Sequence, residues 1–240
     1  AKRMWYIMPD LPGLSWFSKA DSTENFTGNS GSPVPIDVAG IIAFPTPSPF
    51  TAIAAMPDRL MFYDSSGTSR MTGQNAPVAG LSDQWRFERV NDEIGCLSPH
   101  LLTKMGNNQH IILSHSGVFS IRTTDTFEEV KPGELSYDIQ PDLDALGYPQ
   151  LKKGFIFNSS HDGILTLCTP YKKSRLWNGK LWNLHYGVGQ KQRPKTAPWM
   201  IQDIFGGKPT MLTSGVLFPG DNKAYISNYD TIYRIDVNSF

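Results

Sequence analysis

Cysteine is nearly absent: Cys96 and Cys168 are the only two in 240 residues. Two thiols in apolar surroundings, IGCL and LTLCTP, cannot build a disulfide framework and have no metal-ligand spacing, so both read as buried and inert. Charge is scarce as well. Asp, Glu, Lys and Arg make up 18% of the chain, against roughly 25% in ordinary domains, and 22 basic residues balance 22 acidic ones. A net charge of +0 leaves no basic face for phosphate-driven binding, so no direct nucleic-acid partner is expected. No apolar run reaches 18 residues, which excludes a membrane-spanning helix of the usual length. Helical periodicity is confined to PDLDAL, Pro141–Leu146, where Asp142 falls in the first turn behind Pro141. The histidines, His100, His110, His115, His161 and His185, show neither H-x-x-x-H nor H-E-x-x-H spacing, so no metal and no cofactor is expected. The sequence opens AKRMWYIM rather than on Met, as either a processed product or a segment of a longer polypeptide does.

What the chain does have is a short unit that returns at a near-constant interval: an apolar strand, a polar turn and a second apolar strand. It reads LMFYDSSGTSRM from Leu60, IILSHSGVFSI from Ile111, IFNSSHDGILTL from Ile156 and AYISNYDTIYRI from Ala224, with a weaker copy, SWFSKADSTENF, from Ser15. The turn residues Gly67, Gly117, Gly163 and Asp230 are 50, 46 and 67 residues apart. A hairpin recurring about every 50 residues is what a propeller blade or another all-β repeat produces, because each unit buries its apolar face only against its neighbours. With 21 Gly and 18 Pro punctuating short apolar runs, the expectation is an all-β, propeller-like array of four or five small antiparallel blades. It would form a single domain over residues 1–240. Residues 27–49, rich in Pro and Ser, read as an extended connector, and 187–198, GVGQKQRPKTAP, as a long polar loop. The strand at Arg3–Met8 is expected to pair with the blade ending near Val237 and close the ring, hiding the last edge.

Candidate chemistry is thin. His115 with Ser116 and His161 with Asp162 sit in the polar turns of the repeat, where such residues are favoured for backbone reasons, and no G-x-S-x-G accompanies them. Asp142 and Asp144 lack EF-hand spacing and suit a helix start, where they offset the macrodipole. Gly206-Gly207-Lys208-Pro209-Thr210 lacks the phosphate-loop frame, and Pro209 removes an amide the cradle needs. Asn25-Phe26-Thr27 and Asn158-Ser159-Ser160 match glycosylation acceptors. Aromatics reach 12%. Trp5-Tyr6, Trp16-Phe17 and Trp177 with Trp182 are either a sugar-stacking platform or filling between adjacent sheets.

The order of the segments is distinctive: SWFSKADSTENF, then TAIAAMPDRLMFYDSSGTSRMTG, then EIGCLSPHLLTKMGNNQHIILSHSGVFSI, then KLWNLHY, APWMIQD and AYISNYDTIYRIDV. This succession, over about residues 13–237, resembles the β-propeller region of podovirus-type bacteriophage tail proteins, the nozzle, tubular or hub components. The 67-residue interval departs from the pattern and implies an insertion at the 187–198 and 206–210 loops. The resemblance implies a structural virion protein of the tail or neck, assembled in the bacterial host cytoplasm. It would act through contacts with other tail and neck proteins and with copies of itself in a ring. Trp177, Arg193 and Trp199 are the contact anchors expected on that reading. Two rivals remain: a receptor- or glycan-binding propeller at the tail tip, and a propeller glycosidase using carboxylates such as Asp92, Glu93 or Asp142.

Overall fold

A computed structural model describes residues 3–7, 13–19, 21, 39–44, 46, 48–73, 84–123, 130–160, 163–170, 178–186, 199–202, 212, 214–218, 223–228 and 230–235. The chain divides into two compact units, Ala1–Cys96 and Leu97–Phe240.

The first unit carries two antiparallel sheets. β1 (Trp5–Ile7), β2 (Leu14–Phe17) and β3 (Gly40–Ala43) follow one another in the first, and β4 (Phe50–Ala55), β5 (Leu60–Asp64), β6 (Thr68–Thr72) and β7 (Arg86–Asn91) in the second. Alternation sets the faces: in β4, Phe50, Ala52 and Ala54 are buried while Ala55 is exposed. Phe44, Phe50, Phe62 and Met71 form a core with Trp5, Ile42, Trp85 and Phe87 packed against it. Phe44 stacks on Phe87 at 4.2 Å, and the Trp5 and Trp85 rings lie 5.0 Å apart. Such pairs add about 0.5–1.5 kcal/mol each beyond the area they bury. The Arg3 guanidinium caps this cluster, 5.6 Å from the Phe17 and Trp85 ring centres.

One expectation is corrected here. The stretch 27–49 is not all connector, because Gly40–Ala43 is a strand paired with β2 and Phe44 is buried in the core. GIIAF supplies the apolar alternation a strand needs, and the surrounding prolines masked it. Among the described residues β1 is an end strand of the first sheet. It pairs with β2 in register Trp5↔Phe17, since the partner nearest in sequence costs the least loop entropy.

The second unit carries three antiparallel sheets. The first holds β8 (Leu102–Lys104), β9 (Gln109–Ser114), β10 (Gly117–Thr123) and β11 (Val130–Glu134). The second holds β12 (Phe155–Ser159), β13 (Ile164–Pro170), β14 (Asn178–His185) and β15 (Trp199–Gln202), and the third β16 (Ser214–Phe218), β17 (Lys223–Ser227) and β18 (Ile232–Ile235). β11 escapes a sequence reading because it contains Pro132. As the outer strand of its sheet it pairs on one side only, opposite Ile121, and an edge tolerates the missing amide. Between the first two sheets lie α1 (Gln140–Leu146) and α2 (Tyr148–Leu151). α1 has Pro141 in its first turn with Asp142 beside it, buries Leu143 and Leu146, and ends at Gly147, whose φ of +77° suits glycine.

All five sheets run their strands in sequence order, each strand beside its chain neighbours. Their first strands begin at Trp5, Phe50, Leu102, Phe155 and Ser214, spaced by 45, 52, 53 and 59 residues. That spacing removes the irregular 67. In three sheets the repeating hairpin joins the second and third strands: β5 to β6, β9 to β10, and β17 to β18. In the β12–β15 sheet, however, IFNSSHDGILTL forms β12 and β13, the first two strands. Gly163 is therefore one strand early, and the next interval is long by the same amount.

Candidate functional site

The first strands of the three sheets in Leu97–Phe240 line one cleft of about 350 Å³. Pro99 and His100 come from a single 3-10 turn before β8, Leu102 and Thr103 from β8, Phe155–Asn158 from β12, and Ser214–Val216 from β16. The turn is started by Ser98, whose hydroxyl accepts the His100 backbone N–H at 3.4 Å. β12 is buried along its whole length, as its apolar FIFNS sequence requires, and Phe155 and Phe157 point toward β17 to pack with Ala224 and Ile226.

Asn158 is the polar exception in that strand and it is fully used. Its Nδ2 donates to Lys104 O at 2.8 Å, and its Oδ1 accepts the Tyr186 hydroxyl. Burial pushes the Tyr186 phenol up, outweighing the opposing pull of that hydrogen bond, so it stays protonated and donates. The same burial excludes Asn158 as a glycan acceptor, because a side chain only 7% exposed with both polar atoms engaged offers no free amide. Among the described lining residues His100 is the only ionisable side chain, and none is a carboxylate.

The residues singled out by sequence do not converge here. Trp177, Arg193, His161, Asp162 and the 187–198 and 206–210 loops lie outside the described residues. Trp199 is buried in β15 and its indole N–H donates to Leu135 O at 2.6 Å. Trp182, 2% exposed, donates to Thr169 Oγ1 at 3.2 Å, while the Lys180 ammonium sits 3.9 Å over its ring. Trp5 and Phe17 pack in the core, whereas their neighbours Tyr6, 61% exposed, and Trp16, half-buried, stand opposite each other across β1 and β2 on the other face. His115 and Ser116 are exposed in the β9–β10 turn, and His115 Nδ1 lies 3.4 Å from the Ser114 hydroxyl. Asp142 pairs with Lys180 at 3.1 Å, Asp144 accepts from Gln140 at 2.8 Å, and Asp92 binds Arg89 at 2.9 Å. Each is a surface contact. No group of three or more His, Cys, Asp or Glu capable of holding a metal occurs among the described residues.

Both thiols are buried, and desolvation raises the Cys168 thiol well above its usual value, keeping it protonated and unreactive. No described helix is long and apolar enough to cross a membrane. The cleft residues His100, Thr103, Phe157, Asn158 and Gly215 carry no motif. The available signal was an Asn inside the apolar strand IFNSS, which marks a buried polar group that must find partners. Compared with known proteins, the chain matches no family model and no curated protein.

Proposed function

We propose that the protein is a structural subunit of a bacteriophage tail or neck, a propeller-like array of five blades that works through protein–protein contacts. The observation that carries the architectural part is the shared cleft: β8, β12 and β16, the first strands of three successive sheets, stand side by side, as first strands do when blades surround an axis. Within Ala1–Cys96, β1 and β4 are neighbours in the same way. The structural rather than catalytic role is supported by a cleft lining without a carboxylate and by acidic residues committed to surface pairs. The virion assignment itself rests on the segment order of residues 13–237. Burial of Trp182 counts against the glycan platform, which needed that ring exposed.

Native mass spectrometry of the purified chain, alone and mixed with tail fractions, tests the reading. The expected result is a ring or a particle-bound form with a fixed cyclic copy number. A monomer at all concentrations that ignores tail fractions overturns it.

A further inference from the structure

We draw no further inference here: the strongest candidate, the apolar outer face of the first sheet, where Tyr6, Trp16 and Ile41 form one cross-strand row, carries nothing because nothing in the structure shows what covers it.

Discussion

Two hairpin turns of the same repeat, one in each unit, are held by opposite chemistry. At the β5–β6 turn, Asp64 is fully buried and its Oδ1 accepts three hydrogen bonds: from Ser66 N–H at 2.7 Å, Ser66 O–H at 2.8 Å and Gly67 N–H at 2.8 Å. Its Oδ2 pairs with Arg89. Residues 91–96 then fold over the turn, with Cys96 N–H donating to Asp64 O at 2.9 Å and Thr68 Oγ1 to Ile94 O at 2.6 Å. At the β9–β10 turn no charge is used. Ser136 Oγ accepts the Val118 N–H at 3.0 Å and donates to Gln140 Oε1 at 2.8 Å.

The glycines differ for the same reason. Both lack room for a Cβ, Gly117 beside the neutral Ser136 hydroxyl and Gln140 amide and Gly67 beside Arg89 and the Asn91 carbonyl, and Gly117 alone of the two also has a positive φ, +135°. One local pattern, strand–polar turn–glycine–strand, is thus compatible with either anchor. Which anchor is used depends on what the next segment of chain brings to the turn.

That contrast can be broken from one side at a time. Gly95→Ala should have the largest effect: its Cβ would collide with Asp64 O and sit 2.6 Å from Gly67 N, both rigid backbone. A loss of about 3 kcal/mol or more in urea unfolding is expected, with faster amide exchange at 64–67 and none at 114–118. Asp64→Asn should follow at about 2–3 kcal/mol, since it leaves Arg89 with only the exposed Asp92.

The same variant carries a pH signature. Burial alone would raise the Asp64 carboxyl, but the Arg89 and Ser66 hydrogen bonds overcome it and hold the folded value below the ordinary 3.8. The contribution is therefore complete above about 4 and is lost as pH falls through the folded value. Unfolding curves of the parent and Asp64→Asn should converge below that point and stay apart at pH 7. Convergence at neutral pH would remove the Asp64–Arg89 pair as the anchor.

Ser136→Ala tests the neutral turn. Orphaning the buried Val118 N–H should cost about 1–2 kcal/mol with no change between pH 7 and acid. A pH-dependent loss would mean a charged group supports that turn too. Asp92→Asn should do least, under about 0.5 kcal/mol, because its partner contact is at the surface, where the side chain is 85% exposed. A larger loss would show that Arg89 is held from outside rather than by Asp64.

Much of the fold was legible because strand signals are local. The repeating hairpins placed β5, β9, β10 and β13 close to their observed bounds, and Pro141 with Asp142 marked the start of α1. Strands without such signals were missed. β3 hid among prolines, β8 is three residues long, and β11 carries Pro132, which only an edge position allows. The cleft was illegible for a different reason. Leu102, Phe157 and Gly215 lie far apart in sequence and meet only because three first strands stand side by side. Trp199, named as a contact anchor on the tail-protein resemblance, has its hydrogen-bond acceptor at Leu135, 64 residues earlier, a partner no local pattern reveals.

The sequence by itself determined that this chain is built from short antiparallel hairpins, because side-chain alternation and turn chemistry act over a few residues. Tertiary structure alone decided where each hairpin falls within its sheet. The IFNSSHDGILTL hairpin became the first pair of strands in the β12–β15 sheet, although its strand–turn–strand pattern is that of the hairpin joining the second and third strands elsewhere. Strand pairing within a hairpin is enforced by the turn. Its place in a sheet is chosen by which apolar faces bury one another, here Phe155 and Phe157 against Ala224 and Ile226.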